Sequence, residues 1–176
     1  MISSSHLRRG TLAAAAATLA VGATLAAPAQ ADPLLQRFEG QWVGRGEVVM
    51  EPGGQPRSAF CRISAKLAQD GTVLEQSGRC AAGEDTRRIS ARVVAQGGDF
   101  YAGSWDAGMG SAQVSGTAQE NLLNLVLESG GGIPEGASPT ITLRFGQSGA
   151  YVMEMTGVDP NRGRFDVGRI VFEREN

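Results

Sequence analysis

The stretch SAFCRISAKLAQDGTVLEQSGRC, Ser58–Cys80, decides the fold. Two alternating runs flank Asp70-Gly71, a dipeptide whose members both tolerate positive φ and so favour the tight turn of a β-hairpin. With Asp70 and Gly71 as the turn, counting outward sets Leu67 against Leu74, Ile63 against Gly78 and Cys61 against Cys80 on one face. The other face pairs Lys66 with Glu75 and Arg62 with Arg79. One side is apolar and the other charged, the division that a half-buried antiparallel hairpin requires. The same register places the cysteines where a disulfide can bridge them. Cys61–Cys80 is therefore expected to be a disulfide, closing a loop worth about 3 kcal/mol.

The alternation continues on both sides of the hairpin. QWVGRGEVVME precedes it, and DTRRISARVVAQ, FYAGSWD, SAQVSGTAQ, NLLNLVLES, TITLRFGQ, AYVMEMTGVD and FDVGRIVFERE follow. Short turns join most of these runs, among them Gly97-Gly98-Asp99 and Ser148-Gly149. Consecutive hairpins without a long crossover predict an all-β fold, an antiparallel up-and-down β-barrel of about 8–10 strands that closes to remove its edges. One helical signal stands before them: in DPLLQRFEG, Asp32 is a candidate N-cap, Pro33 the first helical residue and Gly40 a stop. Leu34, Leu35 and Phe38 would face inward, so a short N-terminal helical turn is expected to plug one end.

The chain has 176 residues, and its start reads as an export signal. A basic leader with Arg8-Arg9 precedes the uncharged run TLAAAAATLAVGATLAA and the small-x-small site Ala29-Gln30-Ala31. Residues 1–31 are expected to be a cleaved signal peptide and 32–176 a single barrel domain, located in the periplasm or outside the cell. The GTLA that follows the arginine pair fits twin-arginine export poorly, which favours ordinary secretion. The apolar run is marginally short for a membrane span, and no stable membrane insertion of the mature chain is expected.

The composition excludes several functions. The single histidine, His6, lies in the signal, which removes histidine-ligated haem, ordinary zinc sites and Ser-His or Cys-His catalytic pairs from the domain. The formal net charge is −2, and losing Arg8 and Arg9 makes the remainder more acidic, so no nucleic acid partner is expected. No serine has a nearby general base, and Lys66, the sole lysine, faces solvent in the hairpin register. The chain is therefore not expected to be an enzyme, and no cofactor or metal is expected. Asp159, Asn161 and Asp166 in GVDPNRGRFD lack the bidentate glutamate of a calcium loop and read as a turn. ESGGGIPEGASP, 128–139, reads as a connector, with a lid at the barrel mouth as the alternative.

Trp42, in FEGQWVGRGEV (38–48), is expected to seal the barrel beneath the helical turn, with Arg169 or Arg174 stacked on its face. Lining a cavity is its other possible role. FEGQW after a short helical turn resembles the G-x-W opening of lipocalins and related calycin barrels. The wider layout is similar to that of small, uncharacterised exported bacterial barrels: Gly40 to Gly46, two cysteines, Gly103-Ser104-Trp105 and Val114-Ser115-Gly116. The resemblance covers about 80 residues and implies a barrel that binds a small, largely apolar ligand; the chain is expected to be a monomer. Candidate cavity residues are Trp42, Phe60, Trp105, Leu125, Phe145, Tyr151 and Met153. A haem-binding barrel family has a similar opening, but its histidine ligand has no counterpart here. Met50, Met109, Met153, Met155, Tyr101 and Tyr151 are weak substitutes. The alternative function is an envelope interaction protein or an inhibitor of a periplasmic enzyme, with a filled barrel and functional loops.

Overall fold

The computed structural model describes residues 30–175; the expected signal, 1–31, lies almost wholly outside them. The hairpin forms as counted. Arg57–Ala68 (β2) and Val73–Ala82 (β3) pair antiparallel with Cys61 opposite Cys80, Arg62 opposite Arg79 and Leu67 opposite Leu74. Asp70 and Gly71 both take positive φ, 55° and 84°, and Thr72 N–H closes the turn on Gln69 O at 3.1 Å, an ordinary backbone bond. The cysteines are bonded, with their Cα atoms 4.1 Å apart. Cys61 is fully buried, so the bond lies on the inner face of the wall.

The remaining strands are Gly40–Val48 (β1), Asp85–Gly97 (β4), Phe100–Asp106 (β5), Ser111–Gln119 (β6), Leu122–Gly130 (β7), Thr140–Phe145 (β8), Tyr151–Asp159 (β9) and Gly163–Arg174 (β10). Each pairs antiparallel with its sequence neighbours, and β1 also pairs with β10, so ten strands form a closed up-and-down barrel. Closure satisfies every edge, which an open meander would leave exposed. Among the described residues no helix is long and apolar enough to cross a membrane.

One end of the barrel is plugged by the helix α1, Pro33–Phe38. The Asp32 carboxylate accepts from Leu34 N–H at 3.0 Å and Leu35 N–H at 2.8 Å, capping two donors that a helix start leaves free. Leu34, Leu35 and Phe38 are buried in the barrel end. Phe38 meets Phe145 and Tyr151, with ring centroids 4.6 and 5.2 Å away. Trp42, fully buried, packs edge-on against Tyr151 at 4.8 Å, and its indole N–H donates to Phe38 O at 2.7 Å. Gly44 beside it makes room for Phe172: a Cβ there would lie 2.5 Å from that ring. The glycine after Trp42 is thus required by the aromatic stack behind it.

Arg174, not Arg169, caps this end. Its guanidinium lies 4.6 Å from the Trp42 ring centroid and donates to Glu39 O at 2.6 Å and Arg37 O at 3.0 Å. It therefore ties the last strand to the carbonyls at the helix C-terminus. Arg169 points outward and pairs with Glu154 at 3.5 Å. Arg174→Ala is expected to lower stability by about 1–2 kcal/mol, the sum of an exposed cation–π contact and two charge-assisted bonds. Arg174→Lys should recover less than half, because an ammonium cannot span both carbonyls in a plane. Urea unfolding of the two variants tests this, and an unchanged midpoint for Arg174→Ala would remove Arg174 from the lock.

Candidate functional site: an apolar cavity at the open end

The barrel half nearest α1 is filled by side chains; the other end is open. Its cavity measures about 280 Å³. Trp105 of β5, Ala112 of β6, Leu127 of β7, Ile141 of β8 and Met155 of β9 form the inner wall. Val49 and Met50, after β1, and Ala107 and Met109, after β5, form part of the rim. The connector between β7 and β8 supplies Ile133, Pro134 and Pro139. Two backbone bonds, Ile133 N–H to Gly130 O and Ala137 N–H to Pro134 O, both 3.0 Å, fold this segment into turns. It is thus a wall of the cavity as well as a connector.

A β-bulge positions the remaining wall. The β9–β10 register shifts between Asp166 and Gly168. Beyond the shift Ile170 and Phe172 are the buried residues, whereas before it Phe165 and Val167 reach the cavity. One extra residue thus exchanges the inward parity of the strand at the mouth, a common use of a bulge.

No ionisable side chain lines the cavity; its polar side chains are Thr140, Thr156 and Trp105. The two threonine hydroxyls bond each other at 2.7 Å. The shifted titratable groups lie elsewhere. Tyr101 donates to Asp32 at 2.9 Å near the plugged end, and burial, followed by this bond and the Asp32 charge, pushes its phenol well up. Burial alone does the same to Tyr151. Among the described residues no three His, Cys, Asp or Glu side chains group as a metal site. The arrangement can hold an apolar molecule; nothing along its wall supplies a nucleophile with a base.

Of the seven cavity residues expected from sequence, Trp105 lies at this site. Trp42, Phe145 and Tyr151 form the aromatic plug instead, and Leu125 and Met153 are buried in the core. Phe60 is a correction: it is 39% exposed on the outer face. Cys61, Ile63 and Ala65 of β2 are buried, so strand alternation turns Phe60 outward with Arg62. There Arg45 and Arg62 flank its ring, 5.3 and 5.6 Å from the centroid. Register also aligns Arg62, Arg79 and Arg88 across β2, β3 and β4. The Asp159 carboxylate accepts from Asn161 N–H and Arg162 N–H, at 2.9 and 2.8 Å, as an ordinary turn. Met50 and Met109 stand in connections with no period, so the sequence offers them as weak haem ligands and not as cavity wall, and it places Ile133 at the barrel mouth only through the lid alternative for 128–139; Met155 is legible as the next inward position after Tyr151 and Met153.

No family model and no curated protein matches the chain. Among solved structures it is similar to the crystal structure of Rv2717c from M. tuberculosis, at 15% identity and a TM-score of 0.63. The match covers 84% of this chain and 100% of that one. At this identity the likeness is one of fold.

Proposed function

We propose that the protein is an exported barrel that holds a small, largely apolar molecule in its open-end cavity. The cavity carries this reading: about 280 Å³ of space, walled by apolar residues, at the one end that α1 leaves open. Its size lies near the lower limit of about 300 Å³ for small-molecule sites, which suits a ligand of modest length. The calycin-like opening around Trp42 and the barrel topology support the same reading by analogy of fold. The Cys61–Cys80 bond supports export, since such bonds persist in oxidising compartments, and the signal-like residues 1–31 agree with it.

Intact native mass spectrometry of the protein from its own cells tests both parts at once. The expected species begins at Asp32 and carries a retained apolar adduct; a chain with its leader intact would sink export. Blocking the cavity tests the site. Ala112→Phe fills the space beside Trp105 and is expected to weaken binding of a hydrophobic dye by more than tenfold while the circular dichroism stays that of a barrel. Undiminished dye affinity in the folded variant would place binding elsewhere.

A second reading has its own observation. Like charges directly opposite on adjacent strands are unfavourable, yet Arg62, Arg79 and Arg88 line up beside Phe60. Such a wall suits an acidic partner surface, which would make the protein an interaction factor. Binding that Phe60→Ala and Arg79→Glu abolish, with dye affinity untouched, would favour that reading.

A further inference from the structure

We propose that the cavity selects a neutral ligand bearing a hydrogen-bond acceptor, such as an ester or ketone, and that the indole N–H of Trp105 is the donor that reads it. The inference rests on the cavity reading above and names the ligand class for it. The two tryptophans of the domain differ in one respect. Trp42 has its N–H taken by Phe38 O, whereas the Trp105 N–H has no protein acceptor among the described residues. Trp105 is only 8% exposed and lines the cavity. Among the described residues no buried side-chain nitrogen or oxygen is sealed without a partner, so this N–H opens onto the space around it. A buried indole usually finds an acceptor, and a ligand in the cavity is positioned to supply one.

The other polar side chains of the wall are already engaged. Thr156 Oγ1 bonds Thr140 Oγ1 at 2.7 Å and also accepts from Thr140 N–H and Arg164, at 3.3 and 3.0 Å. One bond between two hydroxyls uses one of their two hydrogens, so the pair keeps a donor tied to the wall, whereas the Trp105 N–H is the lining side-chain donor that makes no hydrogen bond at all among the described residues. The absence of any lining cation decides against a carboxylate head, because a desolvated anion without a counter-charge is unfavourable. An uncharged acceptor meets no such penalty, and a site built around a donor favours ligands that satisfy it.

Three probes of matched length separate the terms: decane, methyl nonanoate and decanoate. Calorimetry on the full mature protein at neutral pH is expected to rank methyl nonanoate above decane and decane above decanoate. Trp105→Phe keeps an aromatic wall and removes the donor. It should weaken methyl nonanoate by about tenfold, the worth of one hydrogen bond, and leave decane unchanged. In the wild type the indole N–H proton resonance of Trp105 should move downfield with the ester and stay in place with the alkane, with Trp42 as the unmoved control. Equal loss of ester and alkane in Trp105→Phe, an unmoved indole resonance, or decanoate as the tightest probe would overturn the inference and leave the cavity standing. Binding of none of the three would overturn the cavity reading and this inference with it.

Discussion

Trp42→Ala is expected to lower the stability of the domain by about 4 kcal/mol, in the range measured for large aromatic truncations in packed cores. Three losses combine. The indole is fully buried, edge-on to Tyr151 and within the aromatic group of Phe38, Phe145 and Phe172. Its removal leaves a cavity that the closed barrel cannot collapse to fill, because β1 is bonded on both sides. Phe38 O loses its donor, and Arg174 loses the ring on which it lies. Trp42→Phe retains much of the burial and should lose about half as much. Urea unfolding measures both variants. A Trp42→Ala midpoint within error of the wild type would show that the plug does not hold the fold. Because the indole lies away from the open-end cavity, ligand affinity of the folded variant should be unchanged; a loss of binding without a loss of stability would return Trp42 to the role of a cavity wall.

The fold was more legible than the site, for a physical reason. Strand alternation and the Asp70-Gly71 turn are local signals, and each strand pairs with its sequence neighbour, so local reading carried the topology from β1 to β10. Closure was inferred from the need to satisfy edges, and the β1–β10 pairing meets that need. The helix plug was equally local: an acidic cap, a proline and three apolar side chains. The cavity depends on different things. Its rim residues, Met50, Met109 and Ile133, come from connections, where no period announces which side chains turn inward. Phe165 and Val167 face the cavity only because a bulge exchanges the parity of β10, and a bulge shows itself through the partner strand rather than through the strand that carries it. Phe60 is different again. The register that paired Cys61 with Cys80 already turned its neighbour outward, and large apolar size was the wrong criterion to set against it. Among the candidate aromatics size was a guide to burial, as Trp42, Phe145 and Tyr151 attest, but burial in a barrel with a filled half does not mean contact with a ligand.

Removing the disulfide with Cys61→Ala and Cys80→Ala together is expected to cost about 3 kcal/mol. The two residues are 19 apart in sequence, and the register of the hairpin places them opposite each other whether or not they are bonded. The nine other residue pairs of β2 and β3, and the pairing of β2 with β1 and of β3 with β4, would still hold the wall, so the bond acts chiefly by restricting the unfolded chain. Two observables follow from that. The variant should retain the circular dichroism and the cavity of the wild type, and its unfolding should show a steeper dependence on urea, because an uncrosslinked chain exposes more surface when it unfolds. Alanine is the right replacement because Cys61 is fully buried on an apolar face, where a serine hydroxyl would add a desolvation cost unrelated to the crosslink. Wild-type protein unfolded in excess reductant provides the second arm, with the cysteines present and the bond absent. If both arms unfold at the urea midpoint of the oxidised protein, the bond does not stabilise the domain. If only the alanine variant is weakened, the loss belongs to packing of the sulfur atoms. A loss common to both arms means that the barrel depends on an oxidising compartment for a sizeable part of its stability, which would tie this hairpin physically to the export proposed above.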